Sequence, residues 1–131
     1  MATFFLKAGS VFGALGVMIG AFGAHALKPM LEATNRLDTF ETAVKYQFYH
    51  ALALLILGLL ILWFKPQRAF TVAGYAFIGG MLIFSGSLYI LCSTGVTWLG
   101  AITPIGGVLL IAGWLSMFIG LTKTKNLPNA L

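Results

Sequence analysis

The side chains that could carry acid–base or metal chemistry are concentrated in one fifth of the chain. Both histidines, His25 and His50, lie there together with all three acids, which are Glu32, Asp38 and Glu41. A neutral imidazole can ligate a metal or transfer a proton near neutral pH. Because residues 25 to 50 hold all of these groups, we expect any functional site of this protein to lie near that segment.

The two histidines are compatible with three roles. In the first role each imidazole bonds a backbone carbonyl or a loop carboxylate and is structural, as buried polar groups usually are. In the second role the histidines ligate a metal or a haem between helices, and in the third they form a proton-linked or headgroup-binding site. Two histidines on different helices fall short of the fuller ligand sets of metal centres, so we predict neither a metal site nor a cofactor.

A polar helix face is predicted around His50. Tyr46 and Gln47 precede it by four and three residues, and side chains at those spacings share one face of a helix. Glu41 has the same four-residue spacing to Lys45, which favours a surface ion pair. If this site is functional, His50→Gln should leave the protein folded and inserted while removing ligand binding. The predicted ligand-binding residues are His25, His50, Tyr46, Gln47 and Glu41.

The composition identifies the kind of protein that must position these residues. Of its 131 residues 60% are hydrophobic and only 8% are charged, and the mean hydropathy is +0.97. Such a chain is far more apolar than an average soluble domain and indicates a membrane protein. The net charge of +5 comes from bases that flank apolar blocks, so it indicates membrane-facing charge rather than a nucleic-acid partner. The single cysteine, Cys92, cannot form an intramolecular disulfide.

Charge-free stretches predict an all-α protein with four transmembrane helices. Twenty residues without formal charge separate Lys7 from Lys28, and nineteen separate Lys45 from Lys65. Each stretch is about one membrane crossing, for which roughly 20 apolar residues suffice. The 54 uncharged residues from 69 to 122 fit two crossings joined by a polar, glycine-containing turn at residues 93 to 100. We predict a single four-helix domain over residues 1–131, with spans near 4–26, 39–64, 70–92 and 101–122.

The segment from residue 27 to residue 40 is predicted to be an interfacial or re-entrant loop. It returns both histidines to the same membrane face, where their rings could approach each other. Pro29 is suited to the first turn of a short helix, and Asp38 to Glu41 has the spacing of a capping box at the start of the second span. Pro104 is expected in the first turn of the fourth span for the same reason as Pro29.

Two glycine stripes are predicted to mediate helix packing. Five glycines of the first span recur every three or four residues, and three in the fourth recur every seven. Small residues on one helix face let another helix approach closely. The stripes therefore indicate bundle packing, and they also allow a homo-oligomer. On a regular first helix, His25 would face away from the stripe. The stripe residues are Gly9, Gly13, Gly16, Gly20, Gly23, Gly106, Gly113 and Gly120.

The balance of basic residues predicts that both termini lie in the cytoplasm. Four crossings put five lysines and arginines on the side of the termini and three on the other side, and the richer side is usually cytoplasmic. The five are Lys7, Lys65, Arg68, Lys123 and Lys125, and the three are Lys28, Arg36 and Lys45. An alternative for the first span is a signal peptide cleaved after the Ala24-His25-Ala26 motif, although its apolar stretch is longer than usual.

Three blocks of sequence resemble a known family. They are Gly20-Ala21-Phe22-Gly23-Ala24-His25-Ala26-Leu27, the run from Tyr46 through His50 to Leu55, and Thr103-Pro104-Ile105-Gly106-Gly107 with Gly113-Trp114. Over nearly the whole chain the sequence is similar to the small membrane family catalogued as domain of unknown function 423. The resemblance implies a four-helix protein of the bacterial inner membrane, and it implies no catalytic residue.

These observations favour a non-enzymatic membrane module that binds a lipid, another small amphipathic ligand or a membrane-protein partner. The first alternative is a small proton-linked transporter or channel component, which would need water to reach the histidines. The second alternative is a haem or metal redox subunit of the membrane.

Overall fold

A computed structural model describes residues 1–64 and 66–124. Its helices are α1 (Ala2–Ala24), α2 (Lys28–Ala33), α3 (Leu37–Phe64), α4 (Arg68–Thr94) and α5 (Thr103–Thr122), with a short 3₁₀ helix at Thr97–Ala101. These residues contain no β-strand, and α1, α3, α4 and α5 are each long and apolar enough to cross a membrane. The predicted all-α, four-span fold is therefore confirmed. Lys65 and Lys125, which entered the orientation count, lie outside the described residues.

The ends of the four long helices lie within two residues of the ends predicted for the spans. α2 begins next to Pro29, and Pro104 lies in the first turn of α5, as predicted. The predicted capping box at Asp38 is wrong, because α3 begins at Leu37 and Asp38 is already inside its first turn. A carboxylate at that position still stabilises the helix through its positive N-terminal dipole.

The turn between α4 and α5 depends on a glycine. Gly95 ends α4 with φ +78° and its backbone N–H donates to the carbonyl of Leu91. L-residues with a side chain disfavour this left-handed conformation, whereas glycine adopts it readily. The 3₁₀ helix follows directly and leads the chain into α5.

The spans pack in chain order, so that α1 lies against α3, α3 against α4 and α4 against α5. The two central helices are the most buried, and α1 and α5 expose most of their surface. α1 nevertheless belongs to the core, because Phe5 is fully buried and contacts Gly74 on α4.

An antiparallel glycine–phenylalanine seam joins α4 to α5. Three phenylalanines spaced by seven residues on α4 meet three glycines spaced by seven on α5. The pairs are Phe84 with Gly106, Phe77 with Gly113 and Phe70 with Gly120. A methyl group at any of these glycines would collide with its phenylalanine, so the small residue is what allows the helices to approach.

The stripe on α1 is used only in part. Gly9 lies against the carbonyl of Ala51, and Gly23 lies against the ring of Phe40. Gly16 and Gly20 have looser contacts to α3, and Gly13 faces open space. Helix packing within one chain therefore occupies most of both stripes.

Candidate functional site

His50 lies in a closed hydrogen-bonded position between α3 and α5. Its side chain is 5% exposed. Nδ1 lies 2.7 Å from the Tyr46 carbonyl oxygen, and the indole Nε1–H of Trp114 donates to Nε2 over 3.1 Å. An indole N–H can only donate and a carbonyl can only accept. The proton of the neutral ring must therefore be on Nδ1, which fixes a single tautomer.

Both nitrogens of His50 are thus engaged within the protein. The ring also packs at 5.6 Å from the ring of Phe77, centroid to centroid. Ligation of a metal or transfer of a proton at either nitrogen would first have to break one of these hydrogen bonds. Within residues 1–64 and 66–124, no group of three or more His, Cys, Asp and Glu side chains could hold a metal ion.

His25 lies on a different surface. It follows the last residue of α1, is exposed, and lines a shallow depression of about 340 Å³ together with Met18 and Phe22 on the outer face of that helix. No hydrogen bond or ring contact joins it to His50 in the described part of the chain. The expectation that the two rings approach each other is wrong, because the stripe that packs on α3 turns His25 outward.

Gln47 joins three helices. It is 5% exposed; its Nε2 donates to the Phe12 carbonyl at 2.9 Å, and its Oε1 accepts from the Tyr89 hydroxyl at 2.8 Å. The Ser85 hydroxyl makes a further link by donating to the Ala43 carbonyl at 2.7 Å. Across the described residues every buried side-chain nitrogen and oxygen has a partner. The polar groups inside the bundle therefore tie the helices together.

Tyr46 has a mixed environment. Its side chain is 40% exposed, and its ring stacks on that of Phe84 with centroids 4.6 Å apart. It therefore covers the α3–α4 contact from outside rather than entering a cavity.

Sequence reasoning missed the partners on α4 and α5. Trp114, Tyr89 and Ser85 complete the interior hydrogen bonds, yet none was predicted as a site residue. A usable signal was present, because Trp and Tyr within an apolar span carry a polar group that must find a partner away from water. The sequence does not say which partner each of them finds.

A groove lies between the end of α1 and the beginning of α3. Its volume is about 190 Å³, it is partly open, and its wall is mainly apolar. Of the five predicted ligand-binding residues only Glu41 lines this groove. The lining residues are Gly20, Gly23, Ala24, Leu37, Phe40, Glu41, Val44 and Lys45.

The charged edge of the groove is an ion pair. Lys45 Nζ and Glu41 Oε2 are 3.5 Å apart, and their side chains are 59% and 51% exposed. A pair this exposed contributes little to stability, about 0–1 kcal/mol, because water and salt screen it. Its charges therefore remain available to other polar groups.

Exposed aromatic residues on α3 indicate the depth that we expect for the Glu41–Lys45 pair in a bilayer. Trp63 is 69% exposed near one end of α3, and Tyr46 and Tyr49 are exposed toward the other. Tyr and Trp favour the two membrane interfaces. Trp63 follows Tyr46 by 17 residues, which is roughly 26 Å of helix and close to the hydrocarbon thickness of about 30 Å. Glu41 lies five residues before Tyr46 on the same helix, so we expect it at the level of the lipid headgroups.

A polar depression lies where α2 leads into α3. It is lined by Glu32, Asn35, Leu37 and Asp38 and measures about 250 Å³. Lys28 neutralises part of its charge through a 3.8 Å contact with Glu32.

Comparison with known proteins gives a consistent set of relatives. The sequence model of a family described as "Protein of unknown function (DUF423)" matches residues 19–107. A UPF0382 membrane protein of Staphylococcus saprophyticus is 44% identical, covering 90% of this chain and 99% of its own length. The UPF0382 membrane protein YwdK of Bacillus subtilis is 39% identical, with 91% and 96% covered. One of Haemophilus influenzae is 39% identical, with 85% and 87% covered. No solved structure matches this chain.

Proposed function

We propose a function from the premise that the chain belongs to the DUF423 family of membrane proteins: it is a non-enzymatic module that holds one lipid-like amphipathic molecule. The site is the groove between α1 and α3. The observation that carries the proposal is an apolar groove that ends in an exposed Glu41–Lys45 ion pair. We expect this pair at the depth of the headgroups. Such a site suits a ligand with an apolar chain and a polar end.

The size of the groove limits what it can enclose. Pockets that bury a whole drug-sized ligand measure about 300–1,000 Å³, whereas this groove measures about 190 Å³. We therefore expect it to hold the headgroup-proximal part of one chain, with the remainder in the bilayer.

The interior polar groups support a non-enzymatic function. A general acid or base needs a nitrogen or oxygen within reach of a substrate, and both nitrogens of His50 are engaged by Tyr46 and Trp114. A proton-linked transporter or a haem subunit that used His50 would need the same nitrogens. Lipid binding in the groove does not require a free histidine nitrogen, so it is the function that the geometry favours.

Native mass spectrometry of gently extracted protein tests this proposal with a matched pair of variants. Val44 lines the groove, whereas Val108 is 65% exposed on the outer face of α5. We expect Val44→Phe to fill the groove and remove most of the bound lipid, and Val108→Phe to leave the wild-type adduct unchanged. Equal lipid retention by both folded variants, or no adduct on the wild-type protein, would contradict the proposal.

We also propose that the protein resides in the plasma membrane with both termini in the cytoplasm. The support is the count of five basic residues against three, in which Lys65 and Lys125 belong to the larger group. A green fluorescent protein fused to the C-terminus should fluoresce, and an alkaline phosphatase fusion should be inactive; the reverse pattern would invert the topology.

Membrane lipids are the partner class that we favour. The stripe glycines of α5 and most of those of α1 contact helices of the same chain. Less of the stripe surface is therefore left for a homo-oligomer or another membrane protein.

A further inference from the structure

The mouth of the groove presents one acid and one base side by side. Glu41 and Lys45 are the two formally charged residues among those that line it. Their charged atoms are 3.5 Å apart and both side chains are more than half exposed. The remaining lining residues are apolar or glycine. The mouth therefore offers an acceptor for a cation and a donor for an anion within a few ångströms of each other.

We infer that the groove selects phospholipids whose headgroup carries a primary ammonium beside its phosphate, as phosphatidylethanolamine does; this inference rests on the proposed lipid-binding function. The ammonium would donate hydrogen bonds to the Glu41 carboxylate, and the phosphate would accept from the Lys45 ammonium. Charge-assisted hydrogen bonds of this kind are stronger than neutral ones. The apolar wall would receive the adjoining part of an acyl chain.

The same chemistry disfavours the two other common headgroups. A choline headgroup carries a similar charge but no N–H, so it cannot donate to Glu41. A glycerol headgroup has a phosphate for Lys45 but brings no cation, so it leaves the Glu41 carboxylate facing a second anion. Like charges placed close together are a recognised source of discrimination.

Exchange of partners is inexpensive at this site. An exposed ion pair holds its two side chains only weakly, because both charges remain solvated. Glu41 and Lys45 can therefore leave each other for the two charges of the headgroup without loss of a buried interaction.

The chain contains a matched control pair on the same side of the membrane. Lys28 and Glu32 on α2 have the same four-residue spacing, are 3.8 Å apart and are 53% and 54% exposed. They do not line the α1–α3 groove. Neutralising the acid of either pair, or the base of either pair, changes the charge of this face by the same amount. Only Glu41 and Lys45 can affect the groove.

The experiment is lipid competition measured by native mass spectrometry. Purified full-length protein is exchanged into detergent with equal amounts of phosphatidylethanolamine, phosphatidylcholine and phosphatidylglycerol of identical acyl chains. Wild-type protein should prefer the ethanolamine lipid. From the strength of an exposed ion pair, Glu41→Gln should reduce that preference over choline by about three- to fivefold. Glu32→Gln should leave it unchanged, and Glu41→Asp, which retains the charge, should keep most of it.

The second residue has a separate signature. For this residue diacylglycerol, which has no phosphate, is added to the lipid mixture. Lys45→Gln should weaken binding of both zwitterionic lipids relative to diacylglycerol by a similar factor, and Lys28→Gln should not. Circular dichroism of each variant shows whether it remains helical, and the Asp and Gln variants are surface substitutions that the fold should tolerate.

The outcomes distinguish failure of the headgroup preference from failure of the proposed lipid-binding function. Equal binding of all three phospholipids, lost in Val44→Phe, would overturn the headgroup preference and leave the groove function intact. The same loss of preference in Glu32→Gln and Glu41→Gln would also overturn it, because general surface charge would then explain the effect. Absence of every lipid adduct would refute the groove function itself.

Discussion

Gly106 is the position where an added methyl group should be most harmful to the packing of α4 against α5. A Cβ atom there would lie 2.8 Å from the Cα of Phe84 and closer still to its backbone nitrogen. Backbone atoms of a helix cannot rotate away as a side chain can. The adjacent Gly107 is a matched control, since its Cβ would lie 3.8 Å from the Phe84 ring, an ordinary contact.

The expected difference in the free energy of unfolding follows from a comparison of Gly106 with Gly107. Gly→Ala in a helix interior stabilises by about 0.5–1 kcal/mol through backbone entropy, and this gain is common to both positions. Overpacking adds a cost of about 1–3 kcal/mol at Gly106 alone. Relief of the collision would require the helices to separate along the seam, where Gly113 and Gly120 are also in close contact, so we expect the upper half of that range.

The assay is reversible unfolding by dodecyl sulfate in mixed micelles, followed by far-ultraviolet circular dichroism. Gly107→Ala should match or exceed the wild-type free energy of unfolding, and Gly106→Ala should fall about 2 kcal/mol below Gly107→Ala. Equal stability of the two variants would refute the argument, because it would mean that α5 does not approach α4 through Gly106.

Three further predictions use the same unfolding measurement. In a double-mutant cycle, Trp114→Phe and His50→Leu should show a coupling of about 0.6 kcal/mol, the average for interhelical hydrogen bonds in membranes, and at most about 1.7 kcal/mol; additive effects would mean that the indole–imidazole bond is absent. Tyr89→Phe should cost about 0.5–1.5 kcal/mol, because it removes the hydroxyl that donates to a buried amide, and no change would place that hydroxyl elsewhere. Gly95→Ala should cost about 1–2 kcal/mol because of its positive φ, whereas Gly100→Ala should be near neutral, and equal effects would exclude the left-handed cap.

The four spans could be predicted because they depend on local composition. A charge at the bilayer centre is expensive, so the positions of Lys7, Lys28, Lys45 and Lys65 divide the first half of the chain without any knowledge of tertiary contacts. The short helix at Pro29 followed from the same kind of local rule. The capping box failed because helix ends depend on the turn that precedes them, and α3 begins one residue before Asp38.

The candidate site was predicted less well. Clustering along the chain suggested that His25 and His50 belong together, but helix rotation separates them: one is exposed on the outside of α1 and the other is enclosed by Trp114. The sequence around Glu41 does not predict that this residue lines a groove. The groove exists because Gly20 and Gly23 of α1 lie opposite the start of α3.

Composition, charge pattern and sequence blocks were enough to predict the membrane class, the four apolar helices, the family, and which residues carry charge near one end of the bundle. Each residue of a helix contributes separately to its transfer into a bilayer, so composition is sufficient for the membrane class and the number of apolar helices. The packing of the helices was needed to show which histidine nitrogens are engaged, which glycines admit a neighbouring helix and where a groove remains open. Those properties depend on the rotation of each helix about its axis and on partners such as His50 and Trp114, 64 residues apart, and apolar spans of nearly uniform hydropathy leave both undetermined.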